Sequence, residues 1–151
     1  MNQQSWVHRP PPARDGSTPP IWRGQLGTAA EISAGRAQLR TAVTLSAGLG
    51  EDDLERLLLV FEELTSNGLR HGSPPVRGTV TSTAGGWLLE VSDAAVERLP
   101  VPPVGRDPAA GGLGLNLVAA LCQAHGWDVR AGRKVVWGRL ERALSLVPAG
   151  T

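Results

Sequence analysis

The stretch from Glu51 to His71, EDDLERLLLVFEELTSNGLRH, constrains this chain more than any other. Leu54, Leu57, Leu58, Phe61, Leu64 and Gly68 recur at three- and four-residue spacing, which predicts a long helix with one buried stripe. Glu51, Asp52 and Asp53 lie where the positive end of a helix dipole favours acids. Leu59 and Val60 add apolar surface on other sides, so the middle of the helix is expected to be covered nearly all round. At about 1.5 Å per residue it spans roughly 30 Å, enough to cross a small domain.

A second face of that helix is polar. Glu63 and Asn67 stand four residues apart, with Arg70 and His71 continuing the row. Two readings stand for this row: a solvated face, or a site with Glu63 as a base and Asn67 as an oxygen ligand. Mg²⁺ suits the second, because it takes one or two protein oxygens beside substrate phosphates and water.

The chain is one domain in length. Fifteen basic and fourteen acidic residues nearly cancel, which offers nothing to nucleic acid or to an anionic membrane. No apolar run is long enough to span a bilayer, and the N-terminus has no signal-like stretch. The one cysteine, Cys122, excludes an internal disulfide or a multi-Cys zinc cluster and reads as a small core residue. The three histidines, His8, His71 and His125, lack metal-ligand spacing. A cytoplasmic protein is expected.

Met1 to Pro20, rich in proline, reads as a flexible tail, with Trp6 the one residue in it that could dock on something or, as a lone aromatic, mean nothing. The folded domain is expected over 21–142, with 143–151 as a C-terminal tail. Ile21 to Leu26 is a short strand. Thr28-Ala-Ala-Glu31 has the capping-box pattern and opens a helix to about Ala47, with Ile32, Gly35, Leu39 and Val43 inward and Gly48 ending it. Arg36 and Arg40 lie on one edge of it, a solvated face or a partner-binding edge. After the long helix, Gly72-Ser73-Pro74-Pro75 breaks the chain. Val76 to Thr83 alternates as a strand exposed on one side. Gly85-Gly86 turns into a return strand to Ser92, with Trp87, Leu89 and Val91 inward. Prolines and glycines then crowd Ala94 to Gly112, the composition of a lid or an insertion. Leu113 to His125 is predicted helical, and Trp127–Arg130 with Lys134–Leu140 form a hairpin turning at Ala131-Gly132-Arg133.

Three features follow one another: Glu63/Asn67 on a helix, Asp93 after a strand, and Gly111-Gly112-Leu113-Gly114-Leu115 opening a helix. Together they describe a nucleotide site. Backbone N–H groups at a glycine-rich helix start can cradle phosphates, and an ionised Asp93, acceptor-only, can take the amino group of adenine.

This order resembles the ATP-binding domain of gyrase-type ATPases and sensor histidine kinases, and within it the bacterial anti-sigma-factor serine kinases. EELTSNGLRHG (Glu62 to Gly72) looks like their Asn-bearing helix and VSDAA (Val91 to Ala95) like their adenine motif. GGLGLNLVAALCQAHGW (Gly111 to Trp127) is similar to their second glycine box, and KVVWGRL (Lys134 to Leu140) to their last strand. The resemblance implies a two-layer α/β (α+β) sandwich of the histidine-kinase-like ATPase (Bergerat) type, its sheet mixed but largely antiparallel and its helices on one face. It implies ATP and Mg²⁺ as cofactors and Leu99 to Gly112 as a mobile lid. Nucleotide contacts are implied at Asn67, Arg70, His71, Asp93, Ala95, Arg106, Gly111, Gly112, Leu113, Gly114 and Leu115, with Asn67 on the metal and Glu63 as general base. The implied activity is phosphorylation of a serine or threonine on a small STAS-type antagonist, alongside sequestration of a sigma factor. A homodimer is left open.

Two positions depart from that pattern: Ala95 stands where glycine is common, and Val135 where threonine is common. A catalytically weak ATP-binding module or sigma-factor holdase therefore stands as an alternative reading. So does an ATP-binding accessory of a separate sensor.

Overall fold

The computed structural model describes residues 6–13, 18–45, 50–98 and 113–143. Its elements are β1 (Trp22–Leu26), α1 (Ala29–Leu45), α2 (Glu51–His71), β2 (Val76–Ser82), β3 (Gly86–Asp93), α3 (Leu113–Leu121), β4 (Ala124–Arg130) and β5 (Arg133–Glu141). The strands form one sheet in the order β1-β2-β3-β5-β4. All four strand pairings are antiparallel, in keeping with the largely antiparallel sheet expected. Parallel pairing among the described residues is confined to an isolated bridge between His8 and Trp127. No helix among them is long and apolar enough to cross a membrane.

Helices cover one face of the sheet, and α2 is their centre. Leu57, Leu58, Val60, Phe61 and Leu64 are each at most 1% exposed. Cover is not complete, for Leu59 is 36% exposed. The indole of Trp22 meets Phe61 edge-on at 5.0 Å and donates to Gln38 Oε1 at 3.0 Å. Further along α2, a methyl group at Gly68 would press on both Val76 and Val91, so the absence of a side chain lets the helix approach the sheet closely. Thr28 caps α1 as expected, its Oγ1 accepting from Glu31 N–H at 3.1 Å, while Glu31 reaches back to the N–H of Gly27 at 3.0 Å.

Strand period fixes what shares that face. On β3 it holds Trp87, Leu89 and Val91, and on β5 Val136 and Leu140, all in the core with α2 and α3. Asp93 and Lys134 are direct partners across β3 and β5 and continue the same row. Residues Leu88, Trp137 and Val135 therefore point to the second face, yet each is buried.

Part of the cover there comes from the N-terminal residues, and Trp6, a lone aromatic in a proline-rich stretch, joins the core cluster on the helix face. Trp6 is 3% exposed and packs against His125, ring centres 4.7 Å apart. The backbone then pairs with the outer edge of β4: Trp127 N–H donates to Val7 O, and Arg9 N–H to Trp127 O, both at 3.0 Å. Arg9 crosses onto the second face, its guanidinium over the Trp137 ring and its carbonyl accepting from Trp137 Nε1 at 3.0 Å. Pro12 and Ala13 line one cavity with Thr81 and Leu88. This segment makes no regular element, so no periodicity announces it.

Other boundaries shift as well. Ala124 and His125 belong to β4, not to the last helix, which ends at Leu121 without a glycine or proline to mark the stop. Gln123 makes the change of direction, donating its N–H to Arg139 O and accepting from Glu141 N–H on its side chain. The β4–β5 hairpin turns on Ala131 and Gly132 alone, both at positive φ (50° and 74°), as a type I′ turn requires. Arg133 is already in the strand. The expected end of α1 near Ala47 and Gly48 lies outside the described residues.

Candidate functional site

The polar row of α2 runs toward the open ends of β3 and β5. Glu63, Asn67 and Ser66 are half-buried and Arg70 and His71 exposed. Glu63 lies against the first turn of α3. A methyl group placed on Gly114 would run into its carboxylate, so glycine at 114 is what lets the two helices meet around that side chain. Burial pushes the Glu63 carboxyl above the usual carboxylate range, Glu62 beside it adds to the rise, and Arg70 opposes it. A carboxyl so placed holds a proton more readily than an exposed one, the property wanted of a group that accepts a proton from a hydroxyl.

At the other end of the row, α2 terminates on Asp93. Gly72 caps the helix, its N–H donating to Gly68 O, and a methyl group there would collide with the Asp93 carboxyl. Asp93 itself is 1% exposed. Its Oδ1 accepts from Ala95 N–H at 2.7 Å and from Ser73 N–H at 3.4 Å. Its Oδ2 faces Lys134 Nζ at 3.5 Å. The ammonium also donates to Arg98 O at 2.8 Å, and Arg98 Nη1 reaches His71 O at 3.4 Å. The segment after β3 is thus tied down to both β5 and α2.

From Glu63 to Gly72 the helix rises about 14 Å. One end of that length meets the start of α3 and the other meets Asp93, with Asn67 between them. Asn67 makes no side-chain hydrogen bond with a described residue, so its carboxamide oxygen is available to a ligand. That fits Mg²⁺ held chiefly by phosphates and water, with one protein oxygen. A cage of acids and histidines is not what such an ion needs, and none occurs among the described residues.

The remaining expected site residues divide into three groups. Arg106, Gly111 and Gly112 lie outside the described residues, as does the proposed lid from Leu99 to Gly112, and of Leu113 only its backbone in α3 is described. Leu115 has its side chain in the core, 5% exposed, which leaves only its backbone for a ligand. Ala95 serves through its N–H on Asp93 and is not at positive φ, the only such non-glycine among the described residues being Ala131. Alanine is therefore unstrained at 95. Val135 pairs with Ser92 and so faces away from Asp93. Lys134, one residue earlier, is on the site side. It was missed in the sequence, though alternation carried back from Leu140 and Val136 puts it there.

A five-stranded antiparallel sheet, helices on one face, a strand-terminal acid and a polar row on the central helix define the class of the histidine-kinase-type ATPases. The model of the histidine kinase-like ATPase domain matches residues 28–139, and the chain belongs to that family. No curated protein matches the chain.

Proposed function

We propose that this protein binds Mg²⁺-ATP between α2, α3 and the end of β3, transfers the γ-phosphoryl group to a serine or threonine of a small STAS-type antagonist protein, and sequesters a sigma factor. One observation carries the nucleotide part: the last turns of α2 join a half-buried carboxyl at the start of α3 to a buried acid at the end of β3. The base lies at Asp93, the phosphates at the glycine-rich start of α3, and Mg²⁺ on Asn67. Glu63 would accept the proton of the attacking hydroxyl as ADP leaves, and Mg²⁺ held on Asn67 would supply charge neutralisation at the phosphates. Both the regulatory partners and the choice of a protein hydroxyl rest on the likeness of the four segments to anti-sigma-factor kinases.

Two substitutions test the reading. Asn67→Ala should weaken Mg²⁺-ATP binding, since the cation loses a protein oxygen. Glu63→Ala should leave affinity within a few-fold and lower phosphotransfer to an antagonist about 10²–10⁴-fold. Titration and a phosphotransfer assay measure both. Silence in both assays returns the row to a solvated face. Tight binding without turnover, in the unaltered chain too, marks a nucleotide-dependent sigma-factor binder.

A further inference from the structure

We infer that the second face of the sheet carries an anion site, built from Arg77, Ser92 and Arg133 and suited to a phosphate group. These side chains lie across the sheet from Asn67 and Asp93, so the site is independent of the ATP reading. Arg77 and Ser92 are direct partners across β2 and β3, which puts their Cβ atoms about 5 Å apart on one face. That face is the one away from the helices, because Val91, next to Ser92, is in the core with α2. Arg133 reaches over the end of β3 to the same place. Its Nε and Nη2 donate to Ser92 Oγ at 3.2 and 3.0 Å, and Nη2 donates to Pro75 O as well. The guanidinium is thereby fixed, and among the described residues Nη1 keeps both its hydrogens to give. Ser92 Oγ serves Arg133 as an acceptor, which leaves its own O–H as a donor.

Two guanidiniums side by side repel each other. Burial pulls Arg133 below its ordinary value, Arg77 beside it adds to the fall, and Asp93 opposes it. Among the described residues neither arginine has an acid within ion-pair distance. Asp128, on the same face of β4, is engaged by His8 and Arg130. Glu90 is buried in the neighbouring row, where Arg23 stands as well. Cations therefore outnumber acids at this end of the face, and Arg77 is exposed, which opens the cluster to solvent. An anion held between the guanidiniums removes the repulsion. A phosphate monoester brings three acceptor oxygens and close to two charges. Two guanidiniums and a hydroxyl match that better than they match a planar, singly charged carboxylate.

A nuclear magnetic resonance titration of the full chain with inorganic phosphate, against potassium chloride at matched ionic strength, tests this. Phosphate should give saturable shifts at the Arg77 and Ser92 amides and at Arg133 Nε, and chloride should not. Arg77→Gln, at an exposed position, should weaken phosphate at least about tenfold. Arg77→Lys, which keeps the charge and loses the fork, should fall between the two. Acetyl-phosphoserine amide, titrated beside the inorganic ion, distinguishes the sources. Tighter binding marks a phosphorylated side chain, equal or weaker binding marks free phosphate, and both support the site. Equal shifts with chloride overturn it, as does an unchanged phosphate affinity in Arg77→Gln. A response confined to Gly114 overturns it too, for the phosphate would then sit at α3 and bear only on the nucleotide reading.

Discussion

The two faces of the sheet are buried by different means. On one, three helices lay down side chains at regular spacing, and Phe61, Leu57 and Val118 are at most 1% exposed. On the other, Arg9 lies over Trp137, and Pro12 and Ala13 border a cavity shared with Leu88. The helix face holds through packing that a neighbour cannot leave without opening a cavity. Cover on the second face includes a cation–π contact and a hydrogen bond between Arg9 and Trp137, in a segment that can detach while the sheet survives. Burial alone does not separate these cases; the cost of removing the cover does.

Phe61→Ala should strike hardest, at about 3–5 kcal/mol in urea unfolding, because Trp22 and Leu26 lie around its ring and cannot collapse onto the space. Trp6→Ala should cost less, on the order of 2 kcal/mol, since Trp6 packs on His125 at the β4 edge of the helix-face core and anchors a segment that can let go. Its signature should be faster hydrogen exchange at Trp127 and Arg9 N–H, with the α2 amides unchanged. An equal loss of protection in α2 would abolish the contrast between the helices and the N-terminal segment.

Acid should act on the same segment. Burial holds the His125 imidazole below its ordinary value, and Arg9 nearby lowers it further. The unfolded chain then binds the proton first, so stability falls as pH drops from about 6.5 through the lowered folded value. Protection at Trp127 should decline over that window in the unaltered chain, and the decline should shrink in His125→Gln. The smallest effect is expected at the hairpin. Ala131→Asn gives the turn the Asn-Gly pair that tolerates two positive φ angles, and should add up to about 1 kcal/mol. No gain in melting temperature would mean that the N-terminal segment, rather than the turn, sets the conformation of β4.

What the sequence disclosed follows the same division. The stripe of α2, the capping box at Thr28 and the alternation of β3 were legible because each repeats with the period of its element. The positions of Glu63 and Asn67 on α2 and of Asp93 at the end of β3 were legible because helix spacing and strand ends place polar groups predictably. Trp6 was not, since an irregular segment has no period and its partner lies 121 residues away. His125 was assigned to a helix because nothing between Leu121 and Ala124 breaks one, and only pairing with β5 decides it. Lys134 went unread because attention to Val135 passed over the alternation that turns Val135 away.

The bridge at His8 bears on a further property. A sheet offers its neighbours two unpaired borders, each a template on which another chain can lay a strand. Here the border along β4 is partly taken by the protein's own residues 7–9, which use Trp127 N–H and O. The other is β1, five residues long with exposed Arg23 and Gln25, a short and charged strip that resists such addition. Stripping residues 6–13 would therefore cost more than fold stability: it would bare backbone donors and acceptors beside Trp127, and turn a self-contained sheet into one that recruits copies of itself.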